Sequence, residues 1–167
     1  MSARLWYSQF DIYDCIRRVG GLLLELRQPV HLERLYILDF FFANAPLLHR
    51  VTMTADVRSA FRDLAIPKPD KVFLSYPASP LLFHKMESAQ TSALSALVAK
   101  GLLNTENFAG KTAKLSTLGT SLFADIVNRI DNEKESALAH FLINKYSASH
   151  NDGMASLRSS CGLRRSV

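Results

Sequence analysis

The stretch from Ser92 to Phe123 constrains the fold more than any other. It reads as helix, glycine stop, short strand, turn, return strand and helix. Leu94, Leu97 and Val98 recur at helical spacing and belong on a buried face, and Gly101 supplies the left-handed residue that ends a helix. Leu102, Leu103 and Asn104 leave that helix as a short strand. Phe108-Ala-Gly-Lys111 carries turn chemistry, and Thr112 to Ser116 alternates as a returning strand does. Thr117 then caps a helix carrying Leu118, Leu122, Ile126 and Ile130.

The rest of the chain predicts a mainly α fold. Ile12, Cys15, Ile16, Val19, Leu22, Leu23 and Leu26 define a helix over residues 11–27, crossed by Gly20-Gly21 and ended by Pro29. A second helix from about Leu32 carries Leu35, Leu38, Phe41 and Phe42 and stops near Asn44, because Pro46 disfavours a helical Ala45. Thr54 caps a third, with Val57, Phe61 and Leu64 inward. Pro67-Lys-Pro69 forces an extended connection into a strand over Lys71–Tyr76. Pro80 opens a region of two helices up to Lys100, with a break around residues 87–90, and further helices are expected near 118–130 and 133–146.

With 167 residues, 48% of them hydrophobic and 21% charged, the expectation is one domain over residues 1–146, with residues 47–80 as an insertion. Residues 147–167 are rich in Ser and poor in large apolar side chains, and are expected to form a disordered basic tail. That tail holds Arg158, Arg164 and Arg165 against Asp152 alone, so it carries about +2 of the net charge of +5. The remainder is only mildly basic. The apolar runs at 21–26 and 35–42 are too short to cross a bilayer, and no secretory leader pattern opens the chain, so a cytoplasmic location is expected.

Catalytic chemistry finds little to stand on. His31, His49, His84, His140 and His150 are scattered, no phosphate loop is present, and Cys15 and Cys161 share no metal-ligand spacing and are not expected to form a disulfide. Ser92 and Ser95 have no evident base. Asp39, in an otherwise apolar helix, needs a partner if buried, and Arg34 and Arg50 are the candidates. No enzyme and no cofactor are expected.

Helix, Lys100-Gly-Leu-Leu103, hairpin and Leu115-Ser-Thr-Leu-Gly119 resemble the recognition helix and wing of winged helix-turn-helix families. A second resemblance rests on Arg34-Leu-Tyr-Ile-Leu-Asp-Phe-Phe-Phe-Ala-Asn-Ala-Pro46, which is similar to the opening helix of middle components of bacterial ABC-three-component systems, the group that includes Lamassu-type defence. It implies that Leu35, Leu38 and Phe42 are core residues of the first winged-helix helix and that residues 100–103 close the recognition helix. It also implies an adaptor subunit between an SMC-like or ABC-type ATPase and an effector nuclease, acting against phage or plasmid DNA. The alternative is a winged-helix transcription regulator. A DNA-reading helix presents Arg, Lys, Asn or Gln, whereas this one offers Ser88, Gln90, Thr91, Ser92 and Ser95, with Lys100 at its end. Lys100, Lys111 and Lys114 are candidate backbone contacts, sufficient only for weak, non-specific binding. The aromatic content points to a protein interface instead, with Leu5, Trp6, Tyr7 and Phe10 ahead of the first helix as candidate anchors.

Overall fold

The computed structural model describes residues 7–167. A short 3-10 turn, Ser8–Phe10, leads into α1, Ile12–Leu26, whose first turn is capped by Asp11 Oδ1 accepting from the Asp14 amide at 2.8 Å. The helix runs straight through Gly20-Gly21 and ends at Arg27 in the left-handed conformation (φ 59°). Gly20 marks close packing. A Cβ there would sit 2.0 Å from the Phe123 ring, so only glycine lets that buried ring lie against the α1 backbone.

The two-residue strand β1, Val30–His31, precedes α2, Leu32–Ala43, in which Leu35, Ile37, Leu38, Phe40 and Phe41 are all fully buried. A helix apolar on nearly every side belongs at the centre of a core, and α2 packs there against α1 and the elements from α8 onward. It stops at Asn44, ahead of Pro46, as the sequence predicts.

A 3-10 turn, Ala45–Arg50, then connects to α3, Ala55–Asp63, which turns Val57 and Phe61 inward. Two further helices follow, α4, Ser79–Lys85, and α5, Glu87–Ala99. The strand expected over Lys71–Tyr76 does not form. Residues 69–71 make a 3-10 turn and residues 72–74 a bend, and among the described residues no strand pairs with this segment to give it a ladder.

The hairpin after α5 is built differently from its expected form. Leu102 and Leu103 are buried, but residues 105–109 close a short helix, α6, capped by Asn104 Oδ1, before β2, Thr112–Ala113. Strand β2 pairs antiparallel with β1, Val30 opposite Ala113 and His31 opposite Thr112, and the returning chain forms an isolated antiparallel bridge with the outgoing one at Leu103 opposite Leu115. The next helix, α7, Thr117–Ile130, is capped by Ser116 rather than Thr117: Ser116 Oγ accepts from the Gly119 amide at 3.0 Å. Phe123 is the α7 side chain that enters the core, while Leu118 is 61% exposed and Leu122 and Ile130 are also exposed.

Helix α8, Glu133–Phe141, continues as a π-helical turn, Leu142–Ser147, and a 3-10 turn, Ala148–His150, before α9, Met154–Cys161. Here the expectation of a disordered tail at 147–167 is corrected. Leu157 and Leu163 are buried in the common core, and Gly162, with φ 69°, ends α9 and turns the chain back toward α2. Arg34 secures the approach, its Nη1 donating to the Ser147 carbonyl at 3.0 Å and its Nη2 to the His150 carbonyl at 2.7 Å. The segment is Ser-rich, yet Leu157 and Leu163, the anchored Arg158 and Arg165, and Ser160, whose hydroxyl donates to the Thr52 carbonyl at 2.7 Å, dock it.

Candidate functional site

Helix α5, the expected reading helix, turns Ala89, Gln90, Ala93, Leu94 and Leu97 into the core, much of it against α1. Ser88, Thr91 and Ser95 are exposed and Ser92 is half-buried. Gln90 is wholly buried, a correction to its expected place on the exposed face. Its amide donates to Asp39 Oδ2 at 2.8 Å and to the Tyr36 carbonyl at 3.0 Å. What remains outward on α5 is mainly hydroxyl groups, with the Glu87 carboxylate at its start.

Gln90 belongs to a buried polar chain that joins four parts of the fold. At one end Arg18 is held between carboxylates: its Nε donates to Asp39 Oδ1 at 2.7 Å, and its Nη1 pairs with Asp14 on the preceding turn of α1. Asp39 therefore finds Arg18 on the neighbouring helix, not Arg34 or Arg50. Burial favours the neutral form of Arg18, but the adjoining Asp39 carboxylate outweighs it and keeps the guanidinium charged.

At the other end, the Arg165 guanidinium lies 3.9 Å from the Phe83 ring centroid and 5.0 Å from that of Tyr36. It donates to Gln90 Oε1 and to the Phe83 carbonyl. Glu33, buried at the start of α2, accepts from the Arg165 amide at 2.8 Å and from Arg158 Nε at 3.0 Å. Burial alone would push the Glu33 carboxyl up, but the Arg158 hydrogen bond and the Arg165 amide together hold it below its ordinary value near 4.5. The sign follows. Glu33 stabilises the fold above the unfolded-state value and loses that contribution as pH falls through the lower folded-state value. Melting temperature should therefore drop on acidification below about pH 4.5, and Glu33→Gln should flatten that acid limb while lowering stability at neutral pH. A variant with an acid limb as steep as the wild type would assign the loss to other carboxylates.

These groups tie the helices of the fold together. Each buried side-chain nitrogen and oxygen among the described residues has a hydrogen-bond partner. Cys15 Sγ lies 3.7 Å from Asp39 Oδ2, and burial and that carboxylate push its thiol well up, which disfavours the thiolate. The histidines make local contacts: His49 with the Ile66 carbonyl at 2.8 Å, His140 with Glu25 at 3.3 Å and His150 with Ser156 at 2.7 Å. Among the described residues no cluster of His, Cys, Asp or Glu has the arrangement of a metal site.

The candidate binding residues lie at the surface. Lys100, Lys111 and Lys114 are exposed, and Lys111 Nζ donates to the main-chain oxygen of Val167 at 2.7 Å. Tyr7 and Phe10 are both partly exposed, with ring centroids 6.2 Å apart, and Gln9 between them is buried. The Ser8 carbonyl accepts from Arg18 Nη1 at 3.1 Å, which ties this turn to the polar chain. Leu5 and Trp6 lie outside the described residues.

Two features escaped sequence reading. A groove between α1, α7 and α8 is lined by Leu24, Phe42, Ile126, Ile130 and Arg17, whose guanidinium donates to Glu135. The loop at 67–77 raises Phe73 fully into solvent. The signal for the loop is the Pro-Lys-Pro and Lys-Val-Phe-Leu run, whose strand-favouring residues predict a strand instead. No helix among the described residues is long and apolar enough to cross a membrane. No curated protein and no solved structure matches the chain. Residues 4–166, nearly the whole length, match the family model of the ABC-three component (ABC-3C) system Middle Component 5, and the chain belongs to that family.

Proposed function

We propose that this middle component is a non-catalytic adaptor that holds an effector nuclease on an SMC-like or ABC-type ATPase, in a complex directed against phage or plasmid DNA. The observation that carries the reading is the family match over residues 4–166, since a middle component of a three-component system has other subunits as partners. The surface agrees with protein binding. Helix α5 presents hydroxyls where a base-reading helix presents amides and guanidinia, and its one amide side chain, Gln90, is spent inside the core. Tyr7 and Phe10 stand exposed at the amino-terminal end, where Leu5 and Trp6 adjoin them in sequence.

A winged-helix core is part of the proposal. Three helices, α1, α2 and α5, with β1 after the first and the Leu103–Leu115 bridge and β2 after the third, support it. In that arrangement α2 takes second place, not the first place expected from sequence, because α1 and β1 precede it. The element between the returning strands is the helix α6, so the wing is blunt.

Co-expression with the other two components of its system tests the adaptor role. The wild-type chain should co-purify with the ATPase, and joint replacement of Trp6, Tyr7 and Phe10 by alanine should weaken the complex by about tenfold or more. Duplex DNA should bind weakly, without sequence preference and with steep loss on added salt, through Lys100, Lys111 and Lys114. Selection of a palindromic operator at physiological salt would favour the transcription-regulator reading instead.

A further inference from the structure

The loop between α3 and α4 carries the most exposed large apolar side chain among the described residues. Phe73 is 101% exposed and Leu74 beside it 41%, while Tyr76 two residues on is half-buried and packs on the core. The loop is stiffened at both ends. Pro67 and Pro69 fix the backbone ahead of it and Pro77 behind it, the Lys71 amide donates to the Lys68 carbonyl at 2.9 Å, and Arg50 Nη1 donates to the Pro77 carbonyl at 3.4 Å. A phenylalanine held in water on a stiff support gives up its own burial, and little order is left to impose when a partner covers it.

Charge decides what kind of partner fits. Arg50, Lys68 and Lys71 are exposed around the loop, and Asp70 is the opposing charge within it. We infer that the 67–77 loop is a docking element, with Phe73 and Leu74 as its anchor, for a protein partner that presents an apolar pocket rimmed by carboxylates. A single nucleic-acid strand fits less well. Leu74 and Val72 offer no flat face for a base to stack on, and Asp70 repels phosphate. The inference rests on the adaptor reading and adds a second contact surface, in a region distant in sequence from the amino-terminal turn.

The test uses the full chain co-expressed with the other two components of its system. Phe73→Ala with Leu74→Ala should weaken binding of one companion by about thirtyfold or more. Lys68→Glu with Lys71→Glu should weaken the same companion and reduce the salt dependence of its binding. Melting temperatures of both variants should match the wild type, because the side chains replaced are exposed. Wild-type affinity in both variants, with the complex itself intact, would overturn this inference and leave the adaptor reading standing. So would binding that disappears from wild type on nuclease treatment, which would make the loop a nucleic-acid contact. A wild-type chain that binds neither companion would overturn both.

Discussion

Arg18→Met should destabilise the protein by about 3–5 kcal/mol, because it leaves the fully buried Asp39 carboxylate without its counter-charge. Gln90 and Cys15 still donate to Asp39 in that variant, but neither carries charge. Adding Asp39→Leu should restore much of the loss, since an apolar pair of similar volume removes the stranded charge together with its cost. Denaturant unfolding of the two single variants and the double variant closes the cycle and isolates the pair's coupling. An Arg18→Met loss under about 1 kcal/mol would mean that water reaches Asp39 and that the pair is not the sealed contact described above.

Leu157→Ala should cost about 2–5 kcal/mol, the range for deleting a fully buried leucine from a packed core. The same change in a disordered tail would alter stability by no more than about 0.5 kcal/mol. A small effect would therefore restore the picture of residues 147–167 as an appendage. Truncation is a coarser probe, because it also removes Arg165 from its place between Phe83 and Tyr36 and Arg158 from Glu33.

What the sequence revealed, and what it hid, divides along a physical line. Helices with apolar residues at helical spacing and a proline or glycine stop were legible: α1 ends near Pro29, α2 before Pro46 and α5 ahead of Gly101. These signals are local, and tertiary packing reinforced them. Gln90 was read as solvent-facing because a polar side chain on a helix is usually outward. Its real partners, Asp39, Tyr36 and Arg165, lie 51, 54 and 75 residues away and leave no periodic trace. Asp39 shows the same limit. Its need for a counter-charge was evident, but the choice of Arg18 over Arg34 depended on how α1 lies against α2. The segment after 147 misled because composition averages over its length, whereas docking depended on a few side chains, Leu157, Leu163, Arg158 and Arg165. The family resemblance was readable from the Arg34–Pro46 and Lys100–Leu103 segments. The exposed Phe73 hid inside a run of strand-favouring residues.

The wide helical turn at Leu142–Ser147 bears on how relatives of this chain can differ in length. A π-type turn holds one residue more than α-helical register accommodates. Losing a single residue there would leave the helix continuous but rotate everything beyond it by about 100°. Tyr146 would swing off Phe41, and the two carbonyls that receive Arg34 would swing away from it. Insertions and deletions are therefore barred at this turn unless the docking of α9 is rebuilt at the same time.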